Sequence, residues 1–190
     1  MKKIVLFAVA CFVSVLLFGQ SAPFDKYGIG QVPVDNKGKV TFTKDFSLQG
    51  KDVEYCSISI KNWARSRFTR QDVKKYSVTN VDSTHFSIAI QQIIEFKKTS
   101  FSVDYTKINY ILDINFSEDN LCKVKITDIN YIYEDEREGG GSRFTAEEWI
   151  TDDEAFNKNK TKLLNTTGKF RIKTIDLFED IFKNISDNLY

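Results

Sequence analysis

Residues 106–116 alternate without a break. Ile108, Tyr110, Leu112, Ile114 and Phe116 are apolar, and the residues between them are mostly polar. A period of two places all five on one side of an extended chain, so this segment is a strand with one face buried. Such a strand needs hydrogen-bonded neighbours along both edges and a second layer against its apolar side. The rest of the chain has to supply them.

The flanking segments do so. Residues 85–97 put Phe86, Ile88, Ile90, Ile94 and Phe96 on one face, with Gln92 interrupting. Residues 121–133 begin in the same phase with Cys122, Val124 and Ile126, then switch to Ile129, Tyr131 and Tyr133. One extra residue near Asp128, a β-bulge, produces that switch. Residues 80–84 and 117–120 read as hairpin turns. Residues 39–48 alternate through Val40, Phe42, Phe46 and Leu48, broken only by Lys44, and residues 73–81 form the weakest of the strands. The second layer is helical. Val53, Cys56, Ile60, Trp63 and Ala64 recur at three- and four-residue steps over 51–68, with Asp52 and Glu54 at the positive end of the dipole. Ile175, Phe178, Ile181, Phe182, Ile185 and Leu189 form a second stripe over 174–189. Residues 134–142 carry a charge run and three glycines and read as a flexible loop. Two short helices then start at capping boxes, Thr145 with Glu148 and Thr151 with Glu154. The order is strand, helix, four strands, helix: an α+β fold, an antiparallel sheet with its helices packed on one face.

The N-terminus carries a different message. Lys2 and Lys3 precede a 15-residue stretch, 4–18, that is apolar apart from Ser14, and then Gly19, Gln20, Ser21 and Ala22. That is the order of a secretory signal, and a spanning helix needs about 20 apolar residues. The expected division is a signal peptide over 1–20, an N-terminal arm over 21–38 that is poorly ordered up to the first strand, and a single domain over 39–190 with an inserted segment 134–170. The protein is therefore expected to be exported, periplasmic or extracellular, with no transmembrane anchor once the signal is cleaved. Cleavage before Cys11 would make a lipoprotein, but the apolar run continues for seven residues past that cysteine, where a lipidated one is followed by a polar tether.

Charge and residue counts remove several functions. The 27 basic residues fall to 25 once Lys2 and Lys3 are cleaved, against 26 acidic ones, so no basic excess recommends a nucleic-acid partner. His85 is the one histidine and lies in no local motif, so neither a His-based zinc site nor a Ser-His-Asp triad is expected. It reads as a residue at a hairpin end. Cys56 and Cys122 remain after cleavage; an oxidising compartment permits a disulfide, and two buried thiols are the plainer reading. Glu147, Glu148, Asp152, Asp153 and Glu154 lack the alternating ligand positions and turn glycine of a calcium loop, and the capping boxes account for much of the cluster. Arg171 and Lys173 read as lying just before the last helix, as surface charges or as an anion site at its N-terminus. No cofactor, metal or catalytic set is expected.

Several segments together are similar to one known family: the VTF strand, the helix with Tyr55 and Trp63, the TDINYIY strand, and the tail TAEEWITDDEAFNKNK…TGKFRIKTIDLFEDIF. They resemble the domain of unknown function 4468, which has a TBP-like fold and occurs in exported proteins of Bacteroidetes-type bacteria. The resemblance runs over about residues 39–189 and implies the strand-helix-four strands-helix order already read. It implies no functional residue.

If the even-numbered residues of the two central strands face the helices, then Ala89, Gln91, Ile93, Asn109, Ile111 and Asp113 face away, joined by Lys123 and Lys125. Exposed apolar residues amid polar ones mark interaction surfaces. The plainer reading is a sheet face partly covered by the N-terminal arm or by 134–170. The sequence thus points to an exported, non-enzymatic binding module whose partner is an envelope protein or other envelope component. The alternative is an envelope glycan hydrolase using carboxylates between Asp135 and Glu154.

Overall fold

The computed structural model describes residues 26–117, 119–137 and 139–190. The segment expected to be a signal peptide, residues 1–20, and the first residues of the expected arm lie outside them. Along the chain come β1 (Phe42–Ser47), α1 (Val53–Phe68), β2 (Val73–Asn80), β3 (His85–Lys98), β4 (Val103–Ser117), β5 (Leu121–Tyr133), β6 (Ser142–Thr145), α2 (Asp152–Ala155) and α3 (Asn165–Leu189).

Among the described residues, six strands form one antiparallel sheet in the order β1-β5-β4-β3-β2, with β6 also on β5. The alternating segment of β4 is its centre. The bulge expected near Asp128 is present: Asn109 pairs with Asn130, but Ile111 pairs with Thr127, so β5 holds one residue more than β4. Asp128 takes a left-handed φ of 53° there. The bulge also divides the outer edge of β5, with β1 pairing to Leu121–Ile126 and β6 to Asn130–Tyr133.

The helical layer covers the even-numbered face. Asp52 caps α1 by accepting the Tyr55 N–H at 2.8 Å, and Arg65 and Arg67 occupy its last turn, where the dipole favours cations. The helix buries Cys56, Ile60, Trp63, Ala64 and Phe68. On α3, Phe178 meets Phe42 and Tyr110 edge-on at 5.0 and 5.2 Å, and Phe170 meets Phe96, Tyr131 and Trp149. Two polar residues of β3 and β4 buried on this face, Gln92 and Thr106, are hydrogen-bonded. Tyr110 donates to Gln92 Oε1 at 2.7 Å, and Thr106 donates to the Ile132 carbonyl.

The region after residue 133 departs from the sequence expectation. Residues 142–145 form a strand. Gly141 makes the turn into it at a φ of +75°, where a Cβ would collide with the Tyr133 carbonyl and Asp135 backbone. The first capping box forms its hydrogen bonds, Thr145 N–H to Glu148 and Glu148 N–H to Thr145 Oγ1, but the segment is a turn rather than a helix. The second box does not form, because Thr151 Oγ1 donates to the Glu147 carbonyl and α2 is one turn long.

The last helix starts at Asn165, nine residues before the apolar stripe alone suggests. Arg171 and Lys173 therefore lie inside it. Thr166, Thr167 and Gly168 are poor helix formers, but Gly168 fits closely against Leu163 and Phe170 is fully buried, so packing overrides propensity. Arg171 is not a surface charge. It is fully buried and donates to the carbonyls of Tyr27, Gly28 and Ile150, and it pairs with Asp152 at 2.8 Å. Those contacts clamp the arm, which is not loose from residue 26 onward. Tyr27 also donates to Asp176, Lys26 pairs with Asp176 and Glu179, and the Gly30 N–H donates to Asp152.

Candidate functional site

The odd-numbered residues of β3 and β4 point away from the helices, as the alternation requires. Successive rows across β5, β4 and β3 read Lys123–Asn115–His85, Lys125–Asp113–Ser87, Thr127–Ile111–Ala89, Asn130–Asn109–Gln91 and Ile132–Lys107–Ile93. All eight residues expected on this face lie there. Lys123 and Lys125 are exposed, as is Ala89; Gln91, Ile93, Asn109, Ile111 and Asp113 are half-buried. No described helix lies on this side. The arm and the 134–170 segment are held to α3 and to the β5 edge, so neither covers the centre of the face. A shallow concavity of about 860 Å³ opens there, lined in part by Ser77, Ala89, Gln91, Asn109, Ile111 and Asn130.

Two polar constructions organise it. Gln91 Nε2 donates to Asn109 Oδ1 and Asn109 Nδ2 donates to Asn130 Oδ1, each at 2.8 Å; Asn130 Nδ2 continues to the Asp128 carbonyl at 3.0 Å. This amide ladder crosses three strands and is fixed in direction by its terminal carbonyl. Towards one end of the sheet, Asp113 Oδ2 accepts from Ser87 Oγ at 2.5 Å and lies 3.0 Å from His85 Nε2. His85 thus has a partner that its sequence surroundings did not reveal, supplied by the neighbouring strand. It is not a nucleophilic triad, because serine and histidine both address the carboxylate rather than each other. Ile93 and Ile111 supply the apolar part, on either side of the Gln91–Asn109 row. At the other end Lys107 pairs with Asp135, and Tyr105 donates to Asp135 and Glu136.

The acidic residues proposed for a hydrolase are not gathered into one site. Asp135 sits at the end of the sheet beside Lys107. Glu147 accepts the Val40 N–H, Glu148 caps Thr145, Asp152 holds Arg171 and Asp153 pairs with Lys160. The Lys107 ammonium lowers the Asp135 pKa, and the Thr145 N–H lowers that of Glu148. A glycosidase acid needs the opposite shift. Among the described residues no cluster of His, Cys, Asp and Glu is arranged to hold a metal. Cys56 and Cys122 are free and buried, and burial pushes the Cys122 thiol up to about 12, so it is a weak nucleophile at neutral pH. Sequence reasoning missed Ser87 and Asn130, which alternation alone would have placed on this face.

The family model described as "Domain of unknown function (DUF4468) with TBP-like fold" matches residues 42–132, the stretch from β1 through nearly all of β5. The match stops before the AEEW and FRIKTID segments. Solved structures extend the likeness. A DUF4468 family protein from Bacteroides ovatus ATCC 8483 is 28% identical, with a TM-score of 0.73 over 86% of this chain and 93% of that one. A TBP-like protein from Parabacteroides distasonis ATCC 8503, at 21% identity, shares the fold with a TM-score of 0.67 over 83% of this chain and 96% of that one. No curated protein matches.

Proposed function

We propose that this chain, which carries a DUF4468 domain with the TBP-like fold over residues 42–132, is an exported, non-catalytic binding module whose open sheet face engages an envelope protein or other envelope component. The uncovered amide ladder flanked by Ile93 and Ile111 carries the reading. Its donors and acceptors are pre-oriented across three strands, and half-exposed isoleucines beside it give apolar area to bury. Fold likeness does not bring a DNA-binding role with it. The lysines of this face are interleaved with Asp45 and Asp113 rather than forming the basic stripe that a phosphate backbone requires.

Export rests on the charged start and the largely apolar 15-residue stretch that follows it. No helix among the described residues is long and apolar enough to cross a membrane. Mass spectrometry of the mature N-terminus tests this: a start near Ser21 supports it, and an intact Met1 or Lys2 refutes it.

The binding reading is tested by the double variant Ile93→Asp, Ile111→Asp, used as bait against envelope fractions of the producing bacterium. Tyr55→Asp with Ile58→Asp, on the exposed side of α1, is the control. Loss of a stoichiometric partner in the first and retention in the second is the expected result. Equal capture by both, with circular dichroism unchanged, removes the open face from consideration.

A further inference from the structure

The edge strand β2, whose Ser77 borders the open face, carries a second surface along its outer edge. Beyond β3 it pairs with no strand among the described residues, and seven of its eight residues are exposed. Tyr76 and Val78 lie on the helix side yet remain 40% and 46% exposed, beside a groove of about 250 Å³ shared with Ala64 and Phe68 of α1. Natural edges are normally shielded against pairing. This one has two lysines, Lys74 and Lys75, and a bulge at Lys74, all towards its start, which leaves Lys75–Asn80 regular and unshielded.

We infer that β2 pairs with β2 of a second copy of this chain, antiparallel and about a two-fold axis at Ser77, continuing the sheet through both molecules. The residue order supports that register. Read outward from Ser77, the regular stretch of β2 matches in kind: Tyr76 meets the other copy's Val78 and Lys75 meets Thr79, and beyond Lys75 the bulge at Lys74 ends the regular register. Each half-exposed apolar side chain covers another, and no lysine faces a lysine. Backbone direction agrees. The Val81 N–H donates to His85 O, so from Lys75 onward the odd-numbered residues turn their amides towards β3 and the even-numbered ones turn theirs outward. A second antiparallel strand must therefore pair even with even, which the Ser77-centred register does. Displacing the axis to Tyr76 sets Lys74 against Val78; displacing it to Lys75 sets Lys75 against itself. A two-fold axis makes the contact closed, so it yields a dimer and not a fibre.

The test is sedimentation equilibrium on the full chain together with oxidative cross-linking. The wild type should show a dimer that dissociates on dilution. Val78→Pro removes an outward N–H, a substitution that edge strands tolerate, and should give a monomer with unchanged circular dichroism. If that variant does not fold, Val78→Lys, which faces the other copy's Tyr76, should give the same monomer. Ser77→Cys should cross-link rapidly, since residues in a non-hydrogen-bonded antiparallel pair have Cα atoms about 4.5 Å apart. Thr79→Cys and the parent chain should not cross-link. A monomer mass at every concentration up to about 1 mM, the weak end of specific association, overturns the proposal. So does a dimer unaffected by Val78→Lys, or one that cross-links through Cys at 79 rather than 77.

Discussion

On the helix side of the sheet, Ile108, Leu112, Ile114, Val124 and Ile126 are sealed beneath α1 and α3. One residue along the same strands, on the other side, Asn109, Ile111, Asp113 and Lys125 remain half or fully exposed. The backbone is shared, so the difference lies wholly in what each face meets. On the buried face the polar groups of the central strands are paired, Tyr110 with Gln92 and Tyr131 with Thr174. The open face has polar groups that bond one another while keeping access to water. One face is committed to holding the fold, and the other can be changed without losing it. Substitutions that truncate similar side chains on the two faces test that division.

Phe178→Ala should have the largest effect. It removes the ring that joins Phe42 and Tyr110, and large-to-small changes of this kind cost about 3–5 kcal/mol. Ile111→Ala, on the open face, should cost less than about 1.5 kcal/mol because water and neighbouring side chains fill the space. Urea unfolding of both variants gives the comparison directly. Equal costs would mean that the open face is covered in solution.

Arg171→Leu follows at about 3 kcal/mol, since it strands the buried carbonyls of Gly28 and Ile150 and the part-buried one of Tyr27, and leaves Asp152 without its cation. Its distinguishing readout is hydrogen exchange: amides of residues 28–34 should lose protection before those of β4. Uniform loss of protection would refute the clamp. Tyr110→Phe should cost about 1–2 kcal/mol by orphaning Gln92 Oε1 in the core, whereas Asn109→Ala should cost no more than about 1 kcal/mol because solvent reaches its partners.

The sheet and both long helices were legible because period alone reports them. Five apolar residues in β4 and the phase switch at Asp128 are statements about which side of a strand is wet, and the sequence carries them locally. The chain after residue 133 was not legible in the same way. Whether 142–145 becomes a strand depends on the bulge freeing the upper edge of β5. Whether 165–173 is helical depends on the burial of Phe170 against Phe96, Tyr131 and Trp149 and of Arg171 against Tyr27 and Gly28, residues that lie tens of positions to more than a hundred away. The same holds within the site. Gln91, Asn109 and Asp113 could be assigned to the open face by counting in twos. That Asp113 would meet His85 and Ser87, and that the amides would link into a ladder, required the register between strands.

The smallest expected effect concerns the end of the open face, where Lys107 and Asp135 form an ion pair with Asp135 about one-sixth exposed. Hydrogen bonding to the lysine, aided by Tyr105, lowers the Asp135 pKa below its ordinary value, although partial burial works against this. A carboxylate whose folded pKa is depressed contributes stability that is complete above the unfolded value, near pH 4, and is lost as pH falls through the folded value. Asp135→Asn should therefore lower stability at pH 7 by no more than about 1 kcal/mol, the range of a solvent-accessible pair. Below the folded pKa the difference between variant and parent should close. Urea midpoints measured from pH 7 down to the acid transition would show this convergence. A gap that stays constant with pH would mean that the aspartate acts through its shape and hydrogen bonds rather than its charge. The rim of the open face would then be held by the same kind of fixed polar contact as the Gln91–Asn109–Asn130 ladder.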